Sequence, residues 1–287
     1  MRLTTKIVIG IILAIFLLTL INIIGFSFSD RRHYNHSFQR HPLIQISQDK
    51  VDIPIEPSRV VVLELDQTNN SVFYLLDSEN GFFIHPPVTS DDENKLFIPK
   101  SLNDCVSFQT KGDTLVIKIN IDKVMEKNAY QIETFERKET RHAVSSQTIG
   151  GINLYLYISN VRVINTVRGI QTLVHNIVTD SIIVHSHAKI SIDSCKANVI
   201  EPYCNQLTVT NCVAKSLFLD LDRINNWDID NCDIERRIFT GSKRNHSITT
   251  NVNEVASINW LPKNKDASLN MTFKGDSVQI TTQPIKE

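Results

Sequence analysis

The chain has 287 residues, 30 lysines and arginines against 31 aspartates and glutamates, a formal charge of −1 and 41% hydrophobic residues, enough to bury one or two cores. The balanced charge leaves no basic stripe to neutralise phosphates and excludes nucleic acid as a partner. With only 9 glycines there is no Gly-rich phosphate loop, and the five cysteines, Cys105, Cys195, Cys204, Cys212 and Cys232, lack CxxC spacing, so no zinc site is expected.

Residues 1–6 form a short tail carrying Arg2 and Lys6. The uncharged run from Ile7 to Phe26 gives about 20 residues or roughly 30 Å of helix, enough to cross a bilayer. The run is longer than a signal-peptide core, and its exit, Gly25-Phe-Ser-Phe-Ser29, offers no small-x-small cleavage site. An uncleaved single-pass anchor over 7–28 is therefore expected, with the tail in the cytoplasm and the rest of the chain outside it, periplasmic in a Gram-negative cell. A polar tether follows over 29–42; its His33, His36 and His41 read as solvated stalk residues.

From 43 to 140 the sequence predicts a β-rich segment, because short apolar runs (Ile44–Ile46, Val60–Leu65, Val72–Leu76, Phe82–Ile84, Leu96–Ile98, Leu115–Ile121) are separated by turn residues and prolines. Only Asp122–Thr140 could carry a helix, with an extended, charged connection as the alternative. Residues 141–262 carry a repeat: Leu156-Tyr-Ile-Ser-Asn160-Val, Ile190-Ser-Ile-Asp-Ser194-Cys, Leu207-Thr-Val-Thr-Asn211-Cys and Trp227-Asp-Ile-Asp-Asn231-Cys, with weaker copies ending at Asn176 and Asn251. The spacing of roughly 16 to 20 residues is that of one turn of a β-solenoid, whose units bury their apolar faces only by stacking. Val161, Cys195, Cys212 and Cys232 are expected in one inward stack as inert thiols and small apolar groups. Cys204 fits no register and is placed in a loop beside Pro202. A hairpin turning at Lys274 to Asp276 is expected to cap the end, within 263–287. The fold class is thus all-β, a single-stranded, right-handed parallel β-helix behind a membrane anchor.

No catalytic, nucleotide-binding or metal motif stands out, and no cofactor is implied. The sharpest chemical candidate is the acidic set Asp220, Asp222, Asp228 and Asp230. On a β-helix, carboxylates on adjacent turns can serve as acid and base on a polysaccharide, and the pairs Asp228/Asp230 and Asp220/Asp222 are expected on the outward faces of successive strands. The plainer reading is that aspartate is the polar half of an alternating strand. His185 and His187 with His175 could chelate a metal, but strand histidines facing outward are ordinarily exposed polar residues.

The strand Gly112-Asp-Thr-Leu-Val-Ile-Lys118 followed by short repeats resembles the membrane-anchored or exported β-solenoid proteins of Bacteroidetes, including the auto-transporter adhesin head GIN domain family. The resemblance implies an exported, adhesin-like all-β domain and carries no catalytic residue onto this chain. Two functions remain in view: a membrane-anchored surface that binds a polysaccharide or another envelope protein, and a β-helix carbohydrate-active enzyme.

Overall fold

The computed structural model describes residues 44–67, 72–75, 78–128, 146–251 and 257–274. Of the chain's two compact units, Met1–His41 and Pro42–Glu287, the second contains every described residue. The expected tail, membrane span and tether lie outside the described residues, as do most of the expected helical segment and the far arm of the closing hairpin. No helix among the described residues is long and apolar enough to cross a membrane.

The first segment holds β1 (Ile44–Gln45), β2 (Lys50–Pro54), β3 (Val60–Asp66), β4 (Val72–Leu75), β5 (Gly81–His85), β6 (Lys95–Pro99), β7 (Val106–Lys111) and β8 (Thr114–Asn120), then the short helix α1 (Ile121–Lys127). Helix α1 starts where Asn120 Oδ1 accepts the Lys123 N–H at 2.8 Å, satisfying one of the otherwise unpaired first-turn donors. After it come β9 (Ser146–Gly150), β10 (Asn153–Tyr157), β11 (Val163–Asn165), β12 (Gln171–His175), β13 (Val178–His185), β14 (Lys189–Asp193), β15 (Lys196–Tyr203), β16 (Gln206–Thr210), β17 (Val213–Asp220), β18 (Asn226–Asp230), β19 (Asp233–Gly241), β20 (His246–Asn251), β21 (Ser257–Pro262) and β22 (Leu269–Lys274). The described fold is all-β apart from α1 and two single-turn 3-10 segments.

Two large mixed sheets dominate. One runs β18-β16-β14-β12-β5-β10-β6-β2 and the other β21-β19-β17-β15-β13-β11-β3-β8-β7. From β12 to β19 the chain alternates between them, and each strand from β12 to β17 pairs in parallel with the strand two places further on, in register: Ile190 with Leu207, Leu207 with Trp227, Ala197 with Ala214, Ala214 with Ile234. Alternation explains the burial. Ile190, Ile192, Leu207 and Val209 point inward and are at most 2% exposed, while Lys189, Ser191, Gln206 and Thr208 take the outer face. Each such inward aliphatic contributes about 1.5 to 3 kcal/mol.

Two kinds of corner join the sheets. Between β12 and β13, β14 and β15, β16 and β17, and β18 and β19 the corner is two residues long: Asn176-Ile177, Ser194-Cys195, Asn211-Cys212 and Asn231-Cys232. The first residue of each pair is left-handed, with φ of 55°, 54°, 54° and 51°, a conformation that asparagine tolerates better than most side chains. The second turns inward. Cys195 and Cys212 are buried and Cys232 half-buried, and the sulfurs interlock with the backbone: Ile177 N–H donates to Cys195 Sγ, Cys195 N–H to Cys212 Sγ and Cys212 N–H to Cys232 Sγ, each at 3.4 Å. The three cysteines expected in the stack are present in it as unpaired thiols, with Ile177, rather than the expected Val161, beside Cys195.

Other expectations are corrected. The repeats ending at Asn160 and Asn176 are not neighbours in the first sheet, because β5 inserts between β10 and β12; the first segment therefore shares both sheets with the repeats. Strands β2 and β7 were missed. β7 pairs antiparallel with β8 across a tight turn at Gly112, whose φ of 63° suits glycine, and β2, ending in Pro54, pairs antiparallel with β6 on the edge of its sheet. Cys204 does lie between strands, in the two-residue turn 204–205, but it is not out of register. It is 3% exposed and follows the aligned row Asn165, His185, Tyr203, so with Thr166 and Ser186 it forms a row of small buried residues at the second corner. At the far end, β22 pairs in parallel with β20. There the core thins, for Trp227 and Ile229 are only half-buried.

Candidate functional site

The four candidate aspartates do not converge. Asp228 and Asp230 share the exposed outer face of β18, aligned with Thr208 and Thr210 of β16. Asp220 ends β17 in the other sheet, and Asp222 sits in the turn that follows, so the expectation that these pairs occupy successive strands of one face is not met. The reason is the alternation itself: strands adjacent in sequence fall in different sheets, and the spatial predecessor of β18 is β16.

Asp220 and Asp222 have a different occupation. Lys263 Nζ donates to Asp220 Oδ1 at 2.6 Å and to Asp222 Oδ2 at 3.0 Å, and the Ser242 N–H donates to Asp222 Oδ1 at 3.0 Å. Burial raises the Asp222 pKa, but the Ser242 and Lys263 donors outweigh it and hold the carboxyl well below the usual range. Such a carboxylate is unsuited to donating a proton as a general acid. It ties the residue after β21 to the turn after β17.

The three histidines are also separated. His175 is on β12 in the first sheet, where its Nδ1 lies 2.8 Å from Asp193 Oδ2; His185 ends β13 in the second sheet and His187 follows in the turn. Among the described residues no group of three His, Cys, Asp or Glu side chains is arranged to hold a metal ion. Asp193 was not singled out from sequence, yet it links three repeats. It accepts from Thr210 Oγ1 at 2.6 Å, Asn211 Nδ2 at 3.0 Å and Ser194 Oγ at 3.1 Å. These donors, Thr210 first, lower its pKa to about 2.

An aromatic ladder on the outer face of the first sheet was missed as well. Phe83 stacks on Tyr155 with centroids 4.6 Å apart and planes at 9°, and Lys50 Nζ lies 3.4 Å from the other face of that ring. Phe83 folds down over Gly81, where an added Cβ would meet the ring at 2.4 Å. With its faces covered, Tyr155 offers no platform for a ligand, and the ladder is a cross-strand brace.

Two concavities stand out among the described residues. A groove of about 600 Å³ crosses the starts of β13, β15, β17 and β19. Its lining includes the aligned exposed row Val178, Lys196, Val213 and Asp233 and, beneath it, Thr179, Ala197 and Ala214. Val178 and Val213 are 65% and 44% exposed, and Lys196, Lys215, Asp233 and Glu235 place both signs of charge along its walls. The other concavity, about 530 Å³, lies at the second corner and is lined by residues that include His185, Tyr203, Asn205 and Arg223.

No protein-family model and no curated protein matches the chain. Among solved structures, it is similar to a "Putative lipid binding protein" from Parabacteroides distasonis at 8% identity and a TM-score of 0.40, covering 81% of this chain and 97% of that one. It is also similar to a "putative adhesin" from Parabacteroides merdae at 8% identity and a TM-score of 0.35, covering 80% of this chain and 98% of that one.

Proposed function

We propose that the chain is a non-enzymatic, single-pass membrane protein whose exported part is a β-solenoid that holds an extended polymer, a polysaccharide of the cell envelope, along the groove over β13 to β19. The observation that carries the reading is the groove's construction. Equivalent positions of four parallel strands line up across it, so a chain laid perpendicular to the strands meets the exposed row Val178, Lys196, Val213 and Asp233, apolar and charged by turns, at a regular interval of about 4.8 Å. Parallel pairing at two strands' remove, with a fixed two-residue corner, supports the solenoid. The uncharged run 7–26 supports the anchor, and with it the cytoplasmic tail and exported bulk.

The test is retention of the full chain, in a detergent without a sugar headgroup, on immobilised envelope polysaccharides, with parallel measurement of new reducing or unsaturated ends. Retention without new ends, reduced at least tenfold by Val213→Asp, is expected. Turnover abolished by Asp230→Asn would replace this reading with the enzymatic one. The anchor is checked separately: the chain should resist extraction by alkaline carbonate, and residues beyond 44 should be digested only by protease supplied outside the cytoplasmic membrane.

A further inference from the structure

The outer face of the first sheet carries a row of side chains that crosses four neighbouring strands, β14, β12, β5 and β10. The register aligns Asp193 of β14 with His175 of β12, and Tyr157 of β10 with His85 of β5. The pairing of Val174 with Ile84 then sets His175 and His85 side by side on adjacent parallel strands. Such strands are about 4.8 Å apart, so the two imidazoles share one patch of surface.

Both rings are held from their far sides. His175 Nδ1 lies 2.8 Å from Asp193 Oδ2. A carboxylate only accepts, so in the neutral imidazole Nδ1 carries the proton and the lone pair sits on Nε2. Because β12 lies between β14 and β5, a ring whose Nδ1 reaches toward β14 turns its Nε2 toward β5, the strand of His85. Asp193 is itself fixed, for Oδ2 also accepts from Ser194 while Oδ1 accepts from Thr210 and Asn211. His85 is backed by Tyr157, with centroids 5.7 Å apart and planes at 29°, and Tyr157 meets Phe97 edge-on at 5.3 Å.

The spacing of the two rings fits a shared ion. Two imidazoles bound through nitrogen to one tetrahedral ion, each at about 2.0 Å, have centroids about 5 Å apart. Those of His85 and His175 are 5.6 Å apart, with planes at 62°, so the pair is not stacked face to face as Phe83 and Tyr155 are. The His175 side chain is 47% exposed, which leaves the pair open to an ion and its waters. A carboxylate behind a ligating imidazole is the ordinary means of fixing its tautomer and raising its basicity, and Asp193 also places a negative charge one ring away from the cation. Among the described residues no third His, Cys, Asp or Glu completes a cluster. Two protein nitrogens make an open chelate, and water takes the remaining positions.

We infer that His85 and His175 form a bidentate site for a divalent late transition ion, Ni²⁺, Cu²⁺ or Zn²⁺, with the His175 ring oriented by Asp193. Imidazole selects these ions over Mg²⁺ and Ca²⁺, which take oxygen ligands. The site lies on the first sheet, whereas the groove over β13 to β19 lies on the second, and it does not depend on the polysaccharide reading.

The test is calorimetric titration of the full chain with Ni²⁺, Zn²⁺, Mg²⁺ and Ca²⁺ at pH 7.5 in a non-coordinating buffer. The substitutions His33→Ala, His36→Ala and His41→Ala are made throughout, to remove the tether histidines. Binding of Ni²⁺ and of Zn²⁺ is expected, with no heat from Mg²⁺ or Ca²⁺. His85→Gln and His175→Gln should each weaken Ni²⁺ at least tenfold, because a single imidazole forfeits the chelate, and His187→Gln should leave it unchanged. His175 is exposed, so its variant keeps the test decisive if His85→Gln loses the native thermal transition. The role of Asp193 is read in two-bond proton–nitrogen spectra of the imidazoles: the His175 proton should sit on Nδ1, and Zn²⁺ should shift His85 and His175 together while His187 and His246 stay in place. Absence of Ni²⁺ binding, binding that survives both His85→Gln and His175→Gln, or a His175 proton on Nε2 in the metal-free chain would overturn the inference.

Discussion

The two corners of the repeat obey opposite rules. At the first, four successive turns are two residues long and use the same device, a left-handed Asn or Ser followed by an inward Ile or Cys. At the second, the turns over 166–170, 186–188, 204–205, 221–225 and 242–245 vary in length. The first corner sets the register, because a single residue gained or lost there turns every following side chain to the opposite face. The second only returns the chain to the next strand, so its length is free to vary, and the concavity under Arg223 arises from that freedom. Constancy at one corner makes the fold, and variation at the other makes a concavity.

The largest break in this comparison is a one-residue insertion after Asn211. It would present the outward residues of β17 to the core, and the expected result is loss of the cooperative thermal transition in circular dichroism. A smaller break is Asn211→Val. It puts a β-branched residue at a φ of 54° and removes the bonds to Asp193 and Asn231, at about 2 kcal/mol; Asn211→Gly, which accepts the backbone, should lose less than half of that in urea denaturation.

Acid sharpens the same corner. The folded pKa of Asp193 is about 2, depressed from 3.8, so its contribution to stability is fully present above about pH 4 and is lost as pH falls from there toward 2. Because the carboxylate is partly exposed, solvent screening keeps the effect modest. Asp193→Asn should flatten that part of the stability-against-pH curve and leave its neutral limb nearly parallel to the parent. The smallest effect is expected at the second corner: Gly-Ser inserted after Arg244, in the exposed turn 242–245, should cost about 0.6 kcal/mol or less and leave the circular dichroism unchanged.

What the sequence made legible follows the same division. The first corner is visible because its signals are local: a polar αL residue, an inward Cys and alternating aliphatics recur within a few residues of each other, at 17 to 20 residues' spacing. Ile177 fills the stack beside Cys195 although its repeat lacks a cysteine. The second corner was opaque because its buried row, Thr166, Ser186 and Cys204, shares size rather than residue type. Strand β5 was invisible as a member of the repeat stack, since its neighbours β10 and β12 lie about 70 and 90 residues further along the chain and such pairing leaves no periodic trace. The engagement of Asp220 and Asp222 by Lys263, some 40 residues on, is likewise a contact between distant residues. Read locally, those two aspartates are only the polar half of a pattern.

The central claim, that a closed inward stack at the first corner organises the repeats, is tested most directly by site-resolved thiol labelling of the native full chain at pH 8, followed by mass spectrometry. Contact with Cys195 raises the Cys212 pKa to about 11, and burial raises that of Cys204 to about 12; with Cys212 fully buried, neither the thiolate nor access to it is available. The account predicts that Cys195, Cys204 and Cys212 stay unlabelled over hours and react at once in urea. Labelling of native Cys212 at the rate seen in unfolded protein would contradict it.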